Sequence, residues 1–198
     1  MKFQDISNDK KTLYQLQANE QVVFFLKNRS ADIAFELLGK GAEAHVFAFF
    51  IGTKKMAGTL TIAQKHLAPK TLSRVLVKSI LDDESTFSYR GTLHIAKDAP
   101  LSDASQENRN LLLSPRAKAF SEPALEILTS DVRCHHAATT SPLNEEQLFF
   151  AEARGLSKPQ AQSLILQGFL QSSLDTMGNL ISSQDKEKML ALVGKKPF

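Results

Sequence analysis

The amino-acid sequence predicts an all-β body followed by a short α-helical region. Through residues 21–143, apolar residues alternate with polar ones in short runs, which is the two-residue period of strands with one buried face. In the early part these runs recur about every 11–14 residues, and turn residues separate them. The period changes after Pro142. We therefore divide the chain into an N-terminal segment (1–20), a β core (21–143) and a C-terminal helical region (144–198).

Each predicted strand carries apolar side chains at every second position, so one of its faces can be buried. Polar or turn-forming residues lie between the runs, where the chain has to change direction. In chain order, the predicted strands centre on Val22/Phe24/Leu26, Ile33/Phe35/Leu37, Val46/Ala48/Phe50, Leu60/Ile62, Leu93/Ile95, Leu111/Leu113 and Leu125/Ile127.

This pattern alone leaves three architectures open: a sandwich, a barrel or a parallel β-helix. The sequence contains no Asn-Gly or Asp-Gly dipeptide, the usual two-residue hairpin turns. Their absence mildly disfavours a sandwich built from hairpins. It favours a solenoid, in which each strand stacks on its equivalent in the next coil.

Capping signals predict the first helix. Asn144 is followed three residues later by Gln147, which is the spacing of a capping box. We predict a helix over residues 147–154. Gly155 lies where a left-handed residue would end it.

The same signature recurs before a second helix, at Ser157 and Gln160 with Pro159 in the first turn. A third helix is predicted over Ser183–Val193. One apolar face of the second helix is predicted at the helical period. It consists of Ala161, Leu164, Ile165, Gly168, Phe169 and Ser172.

Composition and motifs exclude several classes of protein. The net charge of +3 is too small to indicate nucleic-acid binding, and no apolar run approaches the ~18 residues of a membrane span. Neither a phosphate-binding glycine motif nor a G-x-S-x-G elbow is present. The single cysteine, Cys134, suits a reducing compartment. We expect a cytoplasmic protein without a nucleic-acid or membrane partner.

The densest group of reactive side chains is Cys134-His135-His136, which follows a strand predicted to end near Val132. On a strand, Cys134 and His136 would point the same way and His135 the opposite way. A thiolate and an imidazole are suitable ligands for zinc, iron or an iron–sulfur cluster. Two ligands do not hold a metal tightly, so a metal site needs further ligands from another chain. A buried cysteine beside surface histidines is the simpler interpretation.

Several blocks, in matching order and spacing, resemble the C-terminal half of the SufB/SufD family of iron–sulfur cluster assembly scaffolds. The cysteine lies in the most specific of them, where Cys134, His136, Ala138 and Thr139 match the SufD-type pattern Cys-x-His-Gly-Ala-Thr. Ala137 replaces its glycine, where SufB-type chains carry a glutamate. The matching blocks are residues 66–73, 102–114, 123–127, 131–139, 143–150 and 153–156, with Ala161, Gly168 and Phe169 beyond them.

The resemblance implies a right-handed parallel β-helix followed by a helical C-terminal region. It further implies a non-catalytic scaffold that pairs through its β-helix with a SufB/SufD-type chain, as a heterodimer or a homodimer. A SufC-like ABC ATPase would bind the C-terminal helices. Family members are longer than this chain and carry an N-terminal helical domain.

The resemblance also implies roles for individual residues. Cys134 and His136 would contact a nascent iron–sulfur cluster or iron, bound transiently and shared across a dimer interface. A two-fold homodimer would present two thiolates and two imidazoles, a set compatible with a two-iron cluster. An alternative is a rigid partner-binding module without metal or cluster chemistry. The ATPase-binding residues are expected to be Gln147, Phe150, Arg154, Gly155 and Phe169.

Overall fold

The structure is a computed structural model that describes residues 1–193, so the last five residues of the predicted helical region lie outside the described residues. Eleven strands are followed by three helices within this part of the chain. The strands are β1 (Lys2–Asp5), β2 (Leu13–Leu16), β3 (Gln21–Lys27), β4 (Ala31–Leu37), β5 (Glu43–Gly52), β6 (Ala57–His66), β7 (Leu72–Leu81), β8 (Thr86–Ile95), β9 (Ser102–Leu112), β10 (Lys118–Ile127) and β11 (Val132–Pro142). The helices are α1 (Glu145–Glu152), α2 (Lys158–Gly178) and α3 (Ser183–Val193).

The strands alternate between two parallel sheets, so each coil of the chain contributes one strand to each sheet. Sheet A has the order β1-β3-β5-β7-β9-β11, and sheet B has the order β10-β8-β6-β4-β2. Lys2 lies opposite Val22, an offset of 20 residues, whereas Ser102 lies opposite Val132, an offset of 30. The result is a β-solenoid of about four turns with a few C-terminal helices. The predicted parallel β-helix with a helical C-terminal region is confirmed.

Aromatic side chains fill the space between the sheets in the first coils. Phe35 is fully buried, and its ring lies 4.8 Å from that of Phe24 and 5.4 Å from that of Tyr14. In the next coil Phe50 stacks on Phe87 at 4.6 Å. Such ring pairs add about 0.5–1.5 kcal/mol to the stabilisation from area burial alone.

The first 20 residues contribute two short strands that sequence analysis did not assign. β1 pairs with β3, and β2 pairs with β4, so this segment starts both sheets. The mostly buried guanidinium of Arg29 holds it in place by donating to the carbonyl oxygens of Ile6 (2.9 Å) and Lys11 (2.6 Å). A charge-assisted hydrogen bond of this kind satisfies backbone acceptors that no strand reaches.

Helix α2 packs against the outer face of sheet A and covers a second apolar cluster. The cluster joins Leu166, Leu170 and Leu174 of the helix to Phe25 and Phe49 of the sheet. The predicted apolar face is confirmed only in part, because Ala161 is buried and Phe169 packs against this cluster. Leu164 is exposed, and it lines a groove beside α1 together with Ile165 and Gly168. Helix α2 is apolar on two sides, and its sequence alone does not reveal which side the sheet covers.

The predicted capping residues are confirmed, but α1 lies two residues earlier than the predicted range 147–154, because the helix begins directly after Asn144. The Asn144 side chain accepts a hydrogen bond from the Gln147 amide at 3.0 Å, and Gly155 has a φ of +91°. At the start of α2, Gln160 accepts from the amide of Ser157 at 2.9 Å. Across the described range 1–193, no helix is both long enough and apolar enough to cross a membrane.

Candidate functional site

The Cys134-His135-His136 motif lies within β11, which begins at Val132, so the prediction that a strand ends there is wrong. The parallel register continues without a bulge: Cys134 lies opposite Ala104 and His136 opposite Gln106. Because Ala104 and Gln106 are buried between the sheets, Cys134 and His136 face inward and His135 faces outward. The predicted orientation of the three side chains is confirmed.

The last coil of the solenoid is open. Within the described chain β10 pairs only with β8, and β11 only with β9. The inward side chains of these two strands therefore pack on the preceding coil, and no described strand covers their other side. We call this surface the open end. It contains Ser121, Leu125 and Ile127 of β10 and Cys134, His136, Ala138 and Thr140 of β11.

Cys134 is half-buried at the open end. It packs against a small apolar cluster that includes Leu93, Ile95 and Ala104. Burial, and to a lesser degree the Asp103 carboxylate, raise the pKa of the Cys134 thiol. The neutral thiol is therefore favoured in the isolated chain, and a bound cation would favour the thiolate.

A buried network of polar side chains leads away from His136 and was not found by sequence analysis. Gln106, the register neighbour of His136, accepts from the Gln64 side chain at 3.3 Å. Ser73 donates to Gln64 at 2.5 Å and lies 2.8 Å from Nε2 of His66. Burial, and less strongly Arg74, lower the pKa of His66 to about 4, so its imidazole is neutral at pH 7.

The network continues along β9 through two buried asparagines. Asn110 accepts from the Ser79 hydroxyl at 2.7 Å and donates to Asn108 at 2.9 Å and to Thr140 of the open end at 3.1 Å. Residues 105–110 of β9 are polar on both faces. The sequence therefore gives no alternation that would separate the inward asparagines from the outward charged residues.

The other histidines lie apart from the open end. His45 lies on the outer face of sheet A, His66 lies between the sheets, and His94 contacts Glu126 on sheet B at 2.8 Å. No group of three or more His, Cys, Asp or Glu side chains in the described residues could hold a metal ion. Cys134 and His136 are therefore an incomplete ligand set in the described chain.

A second candidate site is a groove of about 710 Å³ between the end of β11, α1 and α2. Four of the five predicted partner-binding residues line it: Gln147, Phe150, Arg154 and Phe169. Gly155 is not among the lining residues. It provides the left-handed turn between the two helices.

Helix α1 presents apolar side chains to solvent. None of its residues is buried, and Phe149 and Phe150 are 69% and 64% exposed. The Arg154 guanidinium lies 5.8 Å from the centre of the Phe150 ring. Exposed aromatic rings beside an arginine are typical of protein-binding surfaces.

Comparison with known proteins supports the same family. A family model described as the SUF system FeS cluster assembly SufBD core domain matches residues 18–169. The iron–sulfur cluster assembly protein SufD of Escherichia coli is 31% identical over 124 residues, which are 63% of this chain and 29% of that protein. SufB of Bacillus subtilis is 30% identical over 135 residues, which are 68% of this chain and 29% of that protein. The chain spans less than a third of either relative. It belongs to the SufB/SufD family of the SUF system for iron–sulfur cluster assembly.

Proposed function

We propose that this chain is a SufD-like scaffold subunit of a SUF-type assembly complex. It pairs through its open end with a SufB/SufD-type chain and binds a SufC-like ABC ATPase through α1 and α2. ATP hydrolysis resides in that partner, and the chain itself is not an enzyme. A single cysteine suits the cytoplasm as the place of action. The observation that carries the proposal is the inward pair Cys134 and His136 on β11, whose second edge has no partner strand among the described residues.

Pairing at the open end would satisfy two needs at once. The free edges of β10 and β11 carry backbone groups that another strand could pair with. Leu125 and Ile127, which are about 40% exposed, would lose that exposure in a paired state. A second chain would also bring further ligands to Cys134 and His136.

The number of ligands that two paired chains would offer fits an iron–sulfur cluster. One chain offers a thiolate and an imidazole, and two chains related by a two-fold axis offer two of each. Such a set is compatible with a two-iron cluster, with the iron or nascent cluster as the cargo of the complex. A longer SufB-type partner could complete the set in a heterodimer. The alanine at position 137 favours the SufD-like role, because SufB-type chains carry a glutamate there.

Anaerobic reconstitution with iron and sulfide tests the cluster role, with or without a co-purified partner. We expect Cys134→Ala and His136→Ala to lose most of the visible cluster absorbance. His135→Ala is the matched control, because its side chain lies on the same strand but faces outward. An undiminished signal in Cys134→Ala would contradict a cluster role for this residue.

Co-purification tests the ATPase contact. Phe150→Asp introduces a charge into the groove and is expected to abolish recovery of the ATPase with the tagged chain. Phe120→Asp is the control, because Phe120 is 58% exposed on β10, far along the chain from α1. Equal recovery of the ATPase with both variants would exclude the groove as the contact.

A second candidate function is a rigid partner-binding module with no metal chemistry. The raised pKa of Cys134 and its packing against Leu93 and Ile95 favour this alternative. Alkylation of the free chain distinguishes the two. An interface ligand should be alkylated in the folded protein, more slowly than a small thiol because its pKa is raised, whereas a core thiol should stay inert and react only after unfolding.

A further inference from the structure

A cavity of about 450 Å³ lies on the outer face of sheet A, beneath the C-terminal half of α2. Register places His45 of β5, Arg74 of β7 and Ser105 of β9 side by side across its floor. Lys78 and Arg109 form a second pair four residues further along the strands. Helix α2 closes the other side with the hydroxyl groups of Ser172, Ser173 and Thr176. We call this space the α2 cavity.

The lining of the α2 cavity carries more positive than negative charge. Arg74, Lys78 and Arg109 are cationic, and Glu107 is the one acidic side chain among the lining residues. Arg109 binds Glu107 at 2.7 Å through Nε, and Arg74 binds Asp103, which lies outside the lining, at 2.8 Å. One cation of the lining therefore remains in excess after both pairs are counted.

That excess cation is Lys78, which is buried beneath α2. Its ammonium donates to the carbonyl oxygen of Phe169 and to the hydroxyl of Ser172, and it lies 4.7 Å from the centre of the Phe169 ring. Glu107 compensates its charge in part but forms its ion pair with Arg109, and none of the described salt bridges includes Lys78. Lys78 is 2% exposed. A buried ammonium without an ion-pair partner is costly.

Two polar atoms in the lining have no hydrogen-bond partner. These are Oγ of Ser173, a residue only 1% exposed, and Nε2 of His45. Almost all buried polar atoms in folded proteins are hydrogen-bonded, so an unpaired pair facing one cavity indicates a missing partner. Ser173 belongs to α2 and His45 to sheet A, so a ligand between them would contact both walls.

We propose that the α2 cavity binds a phosphate group, either as inorganic phosphate or as the end of a phosphomonoester. A tetrahedral anion accepts hydrogen bonds in several directions, which suits guanidinium, ammonium, imidazole and hydroxyl donors arranged around one space. Phe47 and Leu180 form an apolar part of the lining, and the volume leaves room for an organic group beside the phosphate.

The electrostatics of the cavity agree with an anionic ligand. Burial, and then the Arg74 charge, lower the pKa of His45 to about 4. Burial, and then the Arg109 charge, lower the pKa of Lys78 to about 8, although the Glu107 carboxylate acts in the opposite direction. A bound anion would offset both repulsions and raise both pKa values. It would also connect α2 to β5, β7 and β9, so binding stabilises the docked helix.

This site is independent of the proposed cluster role, because it lies on the opposite face of sheet A from the Cys134 side chain. Isothermal titration of the whole chain with inorganic phosphate and with phenyl phosphate, at constant ionic strength in sodium chloride, tests it. We expect saturable binding of one equivalent. Tighter binding of phenyl phosphate assigns the site to a phosphomonoester, and binding of inorganic phosphate alone assigns it to the free ion.

Two variants locate the binding. Ser173→Ala and Arg109→Gln are expected to raise Kd at least about tenfold, the effect of losing one hydrogen bond to a charged group. Arg90→Gln, an exposed arginine on sheet B, is the control and should bind as wild type does. Ser173→Ala should also melt no lower than wild type without ligand, because it removes a buried hydroxyl that has no partner. Absence of saturable binding to wild type, or equal binding by all variants, overturns the proposal.

Discussion

The first and last coils of the solenoid share a backbone but enclose opposite chemistry. Between β2, β3 and β4 the interior holds the rings of Tyr14, Phe24 and Phe35. Around β9 the inward positions are instead occupied by polar residues such as Asn108 and Asn110. The parallel register is equally regular in both regions. Interior chemistry therefore varies along the solenoid while the strand geometry does not.

The aromatic coils contribute mainly to the stability of the fold, whereas the polar coils build the candidate site. Aromatic coils exclude water and supply burial energy, whereas the polar coils depend on every hydrogen bond being made. The polar coils end at Cys134 and His136, so they form the floor beneath the open end. Measurements of the free energy of unfolding test whether the two regions differ in this way.

The largest effect is expected in the aromatic coil. Phe35→Ala should lower the free energy of unfolding by about 3–5 kcal/mol, because it leaves a cavity beside two rings. Urea denaturation measures the loss. Phe149→Ala is the control at an exposed position and should change stability by no more than about 0.5 kcal/mol. A loss for Phe35→Ala as small as that of the control would contradict the role of the aromatic coil in stability.

A smaller loss is expected in the polar coil. Asn110→Ala should cost about 1–3 kcal/mol, because it leaves the Ser79 hydroxyl without its acceptor and removes one of the donors to the Asn108 side chain. The double variant with Ser79→Ala should cost less than the sum of the two single variants. Strict additivity in urea denaturation would show that the two side chains are not coupled.

Near neutral pH the smallest effect belongs to His66, because it develops only as the pH falls. Its pKa is about 4 in the folded chain and about 6.5 when unfolded, so below pH 6.5 the unfolded state binds the proton first. Stability should therefore fall as pH drops from 6.5 towards 4. His66→Gln should reduce this slope in urea denaturation at several pH values. An identical slope in the variant would place the acid sensitivity in other groups.

Local patterns predicted most strands of the core, but they missed β7 and did not show how the strands pair. Alternation at Val22, Phe24 and Leu26 indicates a strand because side-chain direction is a local property. The pairing of Val22 with Ala44, 22 residues away, depends on the whole coil, so the local pattern alone does not distinguish a solenoid from a sandwich or a barrel. The N-terminal strands escaped notice because each is only four residues long.

In the candidate site, too, local features were predictable from the sequence and long-range contacts were not. Cys134 and His136 share a face because they are two residues apart on a strand. The network through Gln64, His66 and Gln106 was missed because these residues are far apart in sequence and meet only through coil stacking. The α2 cavity was missed for the same reason, since it exists only where a helix covers a sheet.

The open end has a further consequence for the life of the chain in a cell. An uncovered parallel edge beside exposed Leu125 and Ile127 is a template on which other extended segments can add. If the chain has the partner proposed above, a subunit made in excess of that partner would therefore be prone to aggregation and a substrate for chaperones and proteases. Its steady-state amount should follow the supply of the partner, so that assembly itself regulates abundance.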